Sequence, residues 1–162
     1  MKTLYLVRHA KSSWKDQSLN DQQRPLNKRG HASALDMGER LKQHGVEVDL
    51  IISSPALRAL TTARYLADAI DYDHQKIQIE ADMYFSGIDS MLALVQGCSP
   101  EINNLMLVGH NPDMTSFSNF LSGYHTSNMP TCAISTIEFN GQWEKTYKDN
   151  GTLVDYDYPK KA

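Results

Sequence analysis

The sequence predicts an α/β fold: a three-layer α/β/α sandwich on a mainly parallel sheet, closed by a C-terminal β-hairpin. Three observations carry this. Short apolar runs at residues 4–7, 48–52, 77–79 and 105–108 are too brief for helices and bounded by polar turns. Between them lie stretches with the apolar spacing of amphipathic helices, the alternation that builds parallel sheets. Near the end, Asn140-Gly141 separates two β-rich stretches, the chemistry of a tight hairpin turn.

Leu4-Tyr5-Leu6-Val7 is a buried strand that runs into Arg8 and His9. Residues 15–24 are polar and loop-like, punctuated by Pro25. Asn27 is a suitable N-cap for a helix over 28–44, striped with Ala34, Leu35, Gly38 and Leu41 and stopped by Gly45. A second strand covers 48–52. Ser54 then caps a helix with Pro55 in its first turn, and Leu60, Ala63, Leu66, Ala67 and Ile70 share one face. A short strand at 77–79 precedes a helix at 89–95 that turns Ile88, Leu92 and Val95 to the core. The strand 105–108 ends at Gly109-His110-Asn111-Pro112, and a helix comes next with Met114, Phe117, Phe120 and Leu121. Residues 133–139 and 143–148 are the expected arms of the hairpin. The reading is one domain over 1–155 and a loosely ordered tail over 156–162.

Composition excludes several classes. At 162 residues, 41% hydrophobic and 22% charged, the chain is an ordinary globular protein with room for a real core. A net charge of −3 offers no global field for nucleic acid or anionic membrane, so any anion site must be local. No run approaches a membrane span and no signal-peptide pattern is present, so the expected location is cytoplasmic. Cys98 and Cys132 stand apart and outside any CxxC pattern, as two reduced structural thiols would. His31, His44, His74 and His125 lack partners in sequence and read as surface residues.

The chemistry gathers where strands end. The first strand delivers Arg8 and His9, the second is followed by Arg58 in an early helical turn, and the fourth delivers His110. In a parallel sheet these ends share one edge, where open α/β sheets bind ligands. Two arginines, two histidines and helix N-termini suit a phosphoryl group: guanidinium forks neutralise its oxygens and one imidazole can attack phosphorus.

Four segments carry a resemblance. Leu6-Val7-Arg8-His9-Ala10 looks like the Arg-His signature of the histidine phosphatase superfamily, which includes the phosphoglycerate mutases. The stretches 24–30, 53–63 and 108–112 resemble its later segments in the family's order and spacing, so the resemblance spans nearly the whole chain. The short length and the Gly-His-Asn-Pro form resemble the small phosphohistidine phosphatases of the SixA type. The resemblance implies a phosphoglycerate mutase-like fold. It implies that His9 is the nucleophile that becomes phosphorylated, and that Arg8, Arg58 and His110 bind phosphoryl oxygens. Arg24 matches the family segment at the pocket rim, and Ser12 is a candidate donor to phosphate. His110 is expected to help most as an imidazolium. No metal and no cofactor are implied, because arginines supply the positive charge.

The pattern departs from the family at the general acid. The position of the mutases' glutamate falls at Phe85, and another branch's aspartate position is Asn111. Glu80, Asp82 and Asp113 are near in sequence but out of place, unless one folds into the gap. Imidazole leaves with less help than an alcohol does. The expected substrate is therefore a phosphohistidine-bearing protein. The alternatives are a small-molecule phosphomonoesterase on the same scaffold and a non-catalytic binder of phosphorylated partners. The intact Arg8, His9, Arg58 and His110 argue against the binder. A nucleotide-binding domain is poorly supported, since no Gly-rich loop comes after the first strand.

Overall fold

A computed structural model describes residues 1–161. Six strands form one sheet in the order β3-β2-β4-β1-β5-β6. They are β1 (Lys2–Arg8), β2 (Leu50–Ser53), β3 (Gln78–Ile79), β4 (Asn104–Gly109), β5 (Ile134–Phe139) and β6 (Thr152–Asp157). The first four run parallel, while β5 is antiparallel to β1 and β6 to β5. Four helices, α1 (Lys28–Gln43), α2 (Leu57–Ala69), α3 (Ile88–Gln96) and α4 (Asp113–Ser122), connect the strands. None of them is long and apolar enough to cross a membrane.

Strand alternation sorts the core into two layers. Leu4, Leu6, Leu105 and Leu107 face Met91, Val95, Phe117 and Leu121 of α3 and α4. Val7, Met106 and Val108 face Ala34, Met37, Ala63 and Leu66 of α1 and α2. Both faces are covered, so β1 and β4 read as continuous apolar runs. The three-layer expectation holds. With β1 and β4 central, the carboxyl ends that carry Arg8, His9 and His110 lie side by side, Arg8 in register with Gly109.

Three local expectations need correction. The second hairpin arm is not 143–148: Trp143–Lys145 is a 3₁₀ turn, and the partner of β5 is β6. A two-residue Asn-Gly turn of type I′ needs positive φ at both positions, and neither Asn140 nor Gly141 has it. Instead Trp143 buries its indole, packs edge-on against Phe139 and donates from Nε1 to the Ile102 carbonyl at 2.6 Å. That anchor draws the chain away before β6 returns. Second, the boundary at 155 falls inside β6. Arg40 grips the chain at and beyond the strand's end, donating to Asp157 Oδ1 and to the carbonyls of Tyr158 and Pro159 at 2.7–3.0 Å. Ala162, the last residue of the expected tail, lies outside the described residues. Third, α2 begins at Leu57 behind Ala56, so Pro55 precedes the helix and Ser54 is not its cap. Asn27 does cap α1, accepting from the Gly30 N–H at 2.8 Å.

Candidate active site

β1 ends in a clamp. The His9 N–H donates to the Gly109 carbonyl, and the Cys132 N–H reaches the carbonyls of both Arg8 and His9 at 3.0 Å. His9 is 8% exposed. Its Nδ1 lies 2.7 Å from the Ala10 carbonyl, which can only accept. Nδ1 therefore carries the proton, and the lone pair of the neutral ring sits on Nε2. Burial pushes the His9 pKa down, the Ala10 contact pulls it up, and repulsion from Arg58, Arg8 and Arg24 leaves it at about 4. The ring is neutral at pH 7, with the Nε2 lone pair free.

His110 comes directly after β4, with its ring centroid 5.1 Å from that of His9. Its Nε2 lies 2.8 Å from Ser54 Oγ, which also accepts from the Ala56 N–H at 3.2 Å. His110 is the acceptor available to the Ser54 hydroxyl proton, so Nε2 accepts and Nδ1 bears hydrogen. That Nδ1 is buried and unpartnered. Burial, then the neighbouring His9 and Arg58, push the His110 pKa down to about 3. The expected imidazolium is thus corrected to a neutral ring that offers an N–H. The Nε of Arg8 is likewise buried and unpartnered, while its Nη1 is fixed to the Met129 carbonyl at 2.8 Å. Leaving a buried donor unmatched costs roughly 1–3 kcal/mol. Two such donors beside a bare imidazole nitrogen suit the oxygens of a phosphoryl group.

Arg58 is 3% exposed and is held by Asp21. Its Nη1 donates to the Asp21 carbonyl at 2.6 Å and its Nη2 to Asp21 Oδ2 at 2.8 Å. Arg24 Nη1 donates to Asp21 Oδ1 at 2.9 Å, and the Tyr84 hydroxyl to Oδ2 at 2.6 Å. Partial burial pushes the Asp21 carboxyl up, but the hydrogen bonds from Tyr84, Arg58 and Arg24 outweigh it and hold it well below the usual carboxylate range. Asp21 is a fixed anion, not an acid. Arg24 is buried, lies against the Trp14 ring 3.2 Å from its centroid, and donates from Nη2 to Ser12 Oγ. Ser12 thus serves Arg24 first. Asp21 is the site residue that sequence reasoning missed; its local signal was an acid three residues ahead of Arg24 in a polar loop, while Tyr84, expected with Phe85 to shape the pocket wall, is tied to Asp21.

The expected gap in acid chemistry is filled by an aromatic ring. Phe85 stacks on His110 with centroids 4.6 Å apart and planes 28° from parallel. Asn111 is committed to structure: its amide donates to Asn128 and Met129, and its oxygen accepts from the Thr115 N–H and hydroxyl. Asp113 accepts from the Gly87 N–H, Glu80 from Gln78, and Asp82 is exposed. At the mouth, Asn20, Asp21, Gln22, Gln23, Pro55 and Tyr84 line a cleft of about 540 Å³. Among the described residues no group of three His, Cys, Asp or Glu side chains is placed to hold a metal ion.

The geometry agrees with what the chain is similar to. Residues 4–84 match the model of the histidine phosphatase superfamily, branch 1. That match holds Arg8, His9, Arg24 and Arg58; the fold adds His110. The chain is 30% identical to an uncharacterised chloroplast protein of Arabidopsis thaliana, over 91% of this chain and 72% of that one. Among solved structures it resembles a SixA protein of Agrobacterium tumefaciens assigned as a phosphohistidine phosphatase. There the TM-score is 0.82 at 27% identity, over 98% of each chain. It also resembles a protein histidine phosphatase SixA complexed with tungstate, with TM-score 0.84 at 21% identity over 97% of each chain, a likeness of fold alone. With the half-chain family match and the sheet-edge pair of histidines together, the chain belongs to the histidine phosphatase superfamily.

Proposed function

We propose that the protein is a metal-independent phosphatase that removes phosphate from phosphohistidine in proteins, through a phosphohistidine intermediate on His9. The observation that carries the reading is the Nδ1 contact of His9 with the Ala10 carbonyl, which bares Nε2 beside Arg8, Arg58 and His110. In the first step the Nε2 lone pair attacks phosphorus, and the bond to the leaving nitrogen breaks with its electron pair; the substrate ring, protonated on its other nitrogen, departs as neutral imidazole. Arg8, Arg58 and the His110 Nδ1–H meet the equatorial oxygens, where charge builds. In the second step water attacks phospho-His9, inorganic phosphate departs and Nε2 recovers its lone pair. Arg24 reaches the site through Asp21, and Ser12 supports Arg24.

The phosphohistidine preference is supported by the lack, among the described residues, of an acid over the leaving group. Phe85 covers His110, and the carboxylate at the site, Asp21, is an anion pinned by arginines. A SixA relative assigned as a phosphohistidine phosphatase points the same way. The test is a panel of one phosphohistidine protein and small phosphomonoesters, with chelator present throughout. The phosphohistidine protein should be turned over fastest. His9→Ala should lose the acid-labile phosphoenzyme and at least about 10³-fold in turnover. Near-normal turnover by folded His9→Ala, or a requirement for added magnesium, overturns the reading.

A further inference from the structure

A second groove borders the strand end that carries His9. Its volume is about 390 Å³, and Lys11, Arg29 and Lys160 bring positive charge to it alongside Tyr158, Pro130 and Thr131. The three cations are exposed, and among the described residues none of them is ion-paired. On a chain of net charge −3 such a cluster is a local exception.

Its walls are rigid. Lys11 lies two residues beyond His9, and its carbonyl accepts from the Asn27 N–H at 2.9 Å. Thr131 adjoins Cys132, whose N–H holds the carbonyls of Arg8 and His9. Arg40 fixes the carbonyls of Tyr158 and Pro159. Among the described residues none of the three cationic side chains is hydrogen-bonded to Arg8, Arg58 or His110, whose partners are Met129, Asp21 and Ser54.

We propose that this groove docks an acidic segment flanking the phosphohistidine of the protein substrate. The inference rests on the phosphohistidine reading and adds the substrate's charge to it. The cations are spread over a groove larger than a phosphate ion needs, with Tyr158 and Pro130 beside them. Carboxylates along a peptide would meet ammonium and guanidinium groups there while the phosphoryl group enters beside His9.

The probes are two phosphohistidine peptides of equal length, one with glutamates flanking the phosphohistidine and one with glutamines at those positions. The acidic peptide should have a KM about tenfold lower at low salt, since exposed ion pairs contribute factors of about two each. The advantage should shrink in 0.5 M salt, where charges are screened over only a few ångströms. The variant K11E/R29E/K160E should lose it while keeping wild-type turnover of an aryl phosphate. Equal KM values for the two peptides overturn docking and leave the phosphohistidine reading intact. Failure of wild-type enzyme on both peptides, with aryl phosphate still cleaved, overturns both. A parallel loss of aryl phosphate turnover in the variant would show that these residues serve the chemistry instead, and also overturns the proposal.

Discussion

Asp21 binds Arg58 twice, through its carboxylate and through its own main-chain carbonyl. A loop residue thereby fixes a helix-borne guanidinium that is 3% exposed, and the same carboxylate also holds Arg24 and Tyr84. Three donors on one anion set the fork of Arg58 before any phosphoryl group arrives. Asp21→Asn keeps the shape and one acceptor but removes the charge. It should lower kcat/KM on an aryl phosphate by about tenfold, or ~1.4 kcal/mol of transition-state stabilisation. The fold should persist, because the Asp21 side chain is 40% exposed. Steady-state kinetics and a thermal melt decide it. A rise in activity would mean that Asp21 competes with phosphate for Arg58.

The pH profile is set by the depressed histidines. With its pKa near 4, His9 stays neutral across the range where free imidazole, near 6.5, would protonate. The acid limb of kcat/KM on an aryl phosphate should therefore fall below pH 6. Stability has the same sign. The unfolded chain binds protons on His9 and His110 from about pH 6.5 downward, whereas the folded chain resists until about 4 and 3. Their contribution is complete above pH 6.5 and is lost as the pH falls through that window. Activity against pH, beside urea midpoints at pH 7 and pH 5, checks both. An acid limb centred on 6.5 would contradict the burial argument.

Gly30 is required by close approach rather than by φ. A Cβ there would stand 2.0 Å from the Lys11 carbonyl oxygen, backbone against backbone. The loop after His9 would have to move. Gly30→Ala should lower Tm by several degrees, consistent with about 1–3 kcal/mol of overpacking, and should lower kcat as well. Gly38→Ala is the control. Its Cβ would meet the Ala69 side chain at 2.9 Å, between α1 and α2 and away from the histidines. It should cost stability but leave the turnover of folded enzyme unchanged. Equal effects on turnover would show that the Lys11 contact does not position His9.

Much of the architecture was legible because each strand is a short apolar run with a polar turn behind it. β1 and β4 are buried on both faces, which makes them continuous runs in sequence and places Arg8, His9 and His110 at one edge. The hairpin misled because Asn140-Gly141 is strong local chemistry, while the indole of Trp143 and its bond to Ile102, far off in sequence, decide the path. The tail misled because its anchor, Arg40, lies on α1. At the site, Arg8, His9, Arg58 and His110 carry a spacing signal because each comes at or just after a strand end. Asp21 holds Arg58 across 37 residues and Tyr84 holds Asp21 across 63, and the acid three residues ahead of Arg24 is too small a signal to mark them. The charge of His110 was misjudged for a related reason: its desolvation depends on the rings and strands packed around it.

The position that the resemblance gives to the mutases' glutamate holds Phe85, and the ring is part of the site. It sits at φ 55°, outside the ordinary region for a bulky residue, and lies flat over His110. A phenyl ring there excludes water from one side of the pocket and offers no proton. Proton donation to a leaving group contributes about 10²–10⁴-fold. Without it, rates on phosphate esters should depend steeply on leaving-group acidity: aryl phosphates cleaved, alkyl phosphates hardly at all. Tyr84 does not alter this. Its hydroxyl proton is given to Asp21, and that hydrogen bond and burial raise its pKa. Phe85→Glu should shift the balance by placing a carboxyl against His110 and the incoming ester. In that variant, rates on alkyl phosphates should rise by about tenfold or more and the dependence on leaving group should flatten. The preference for a phosphohistidine probe over an alkyl ester should narrow with it. The measurement is a series of esters of graded leaving-group acidity on both proteins. A flat series in the wild type would show that some other group already donates the proton. A series just as steep in Phe85→Glu would show that a carboxyl at this position does not reach the leaving atom.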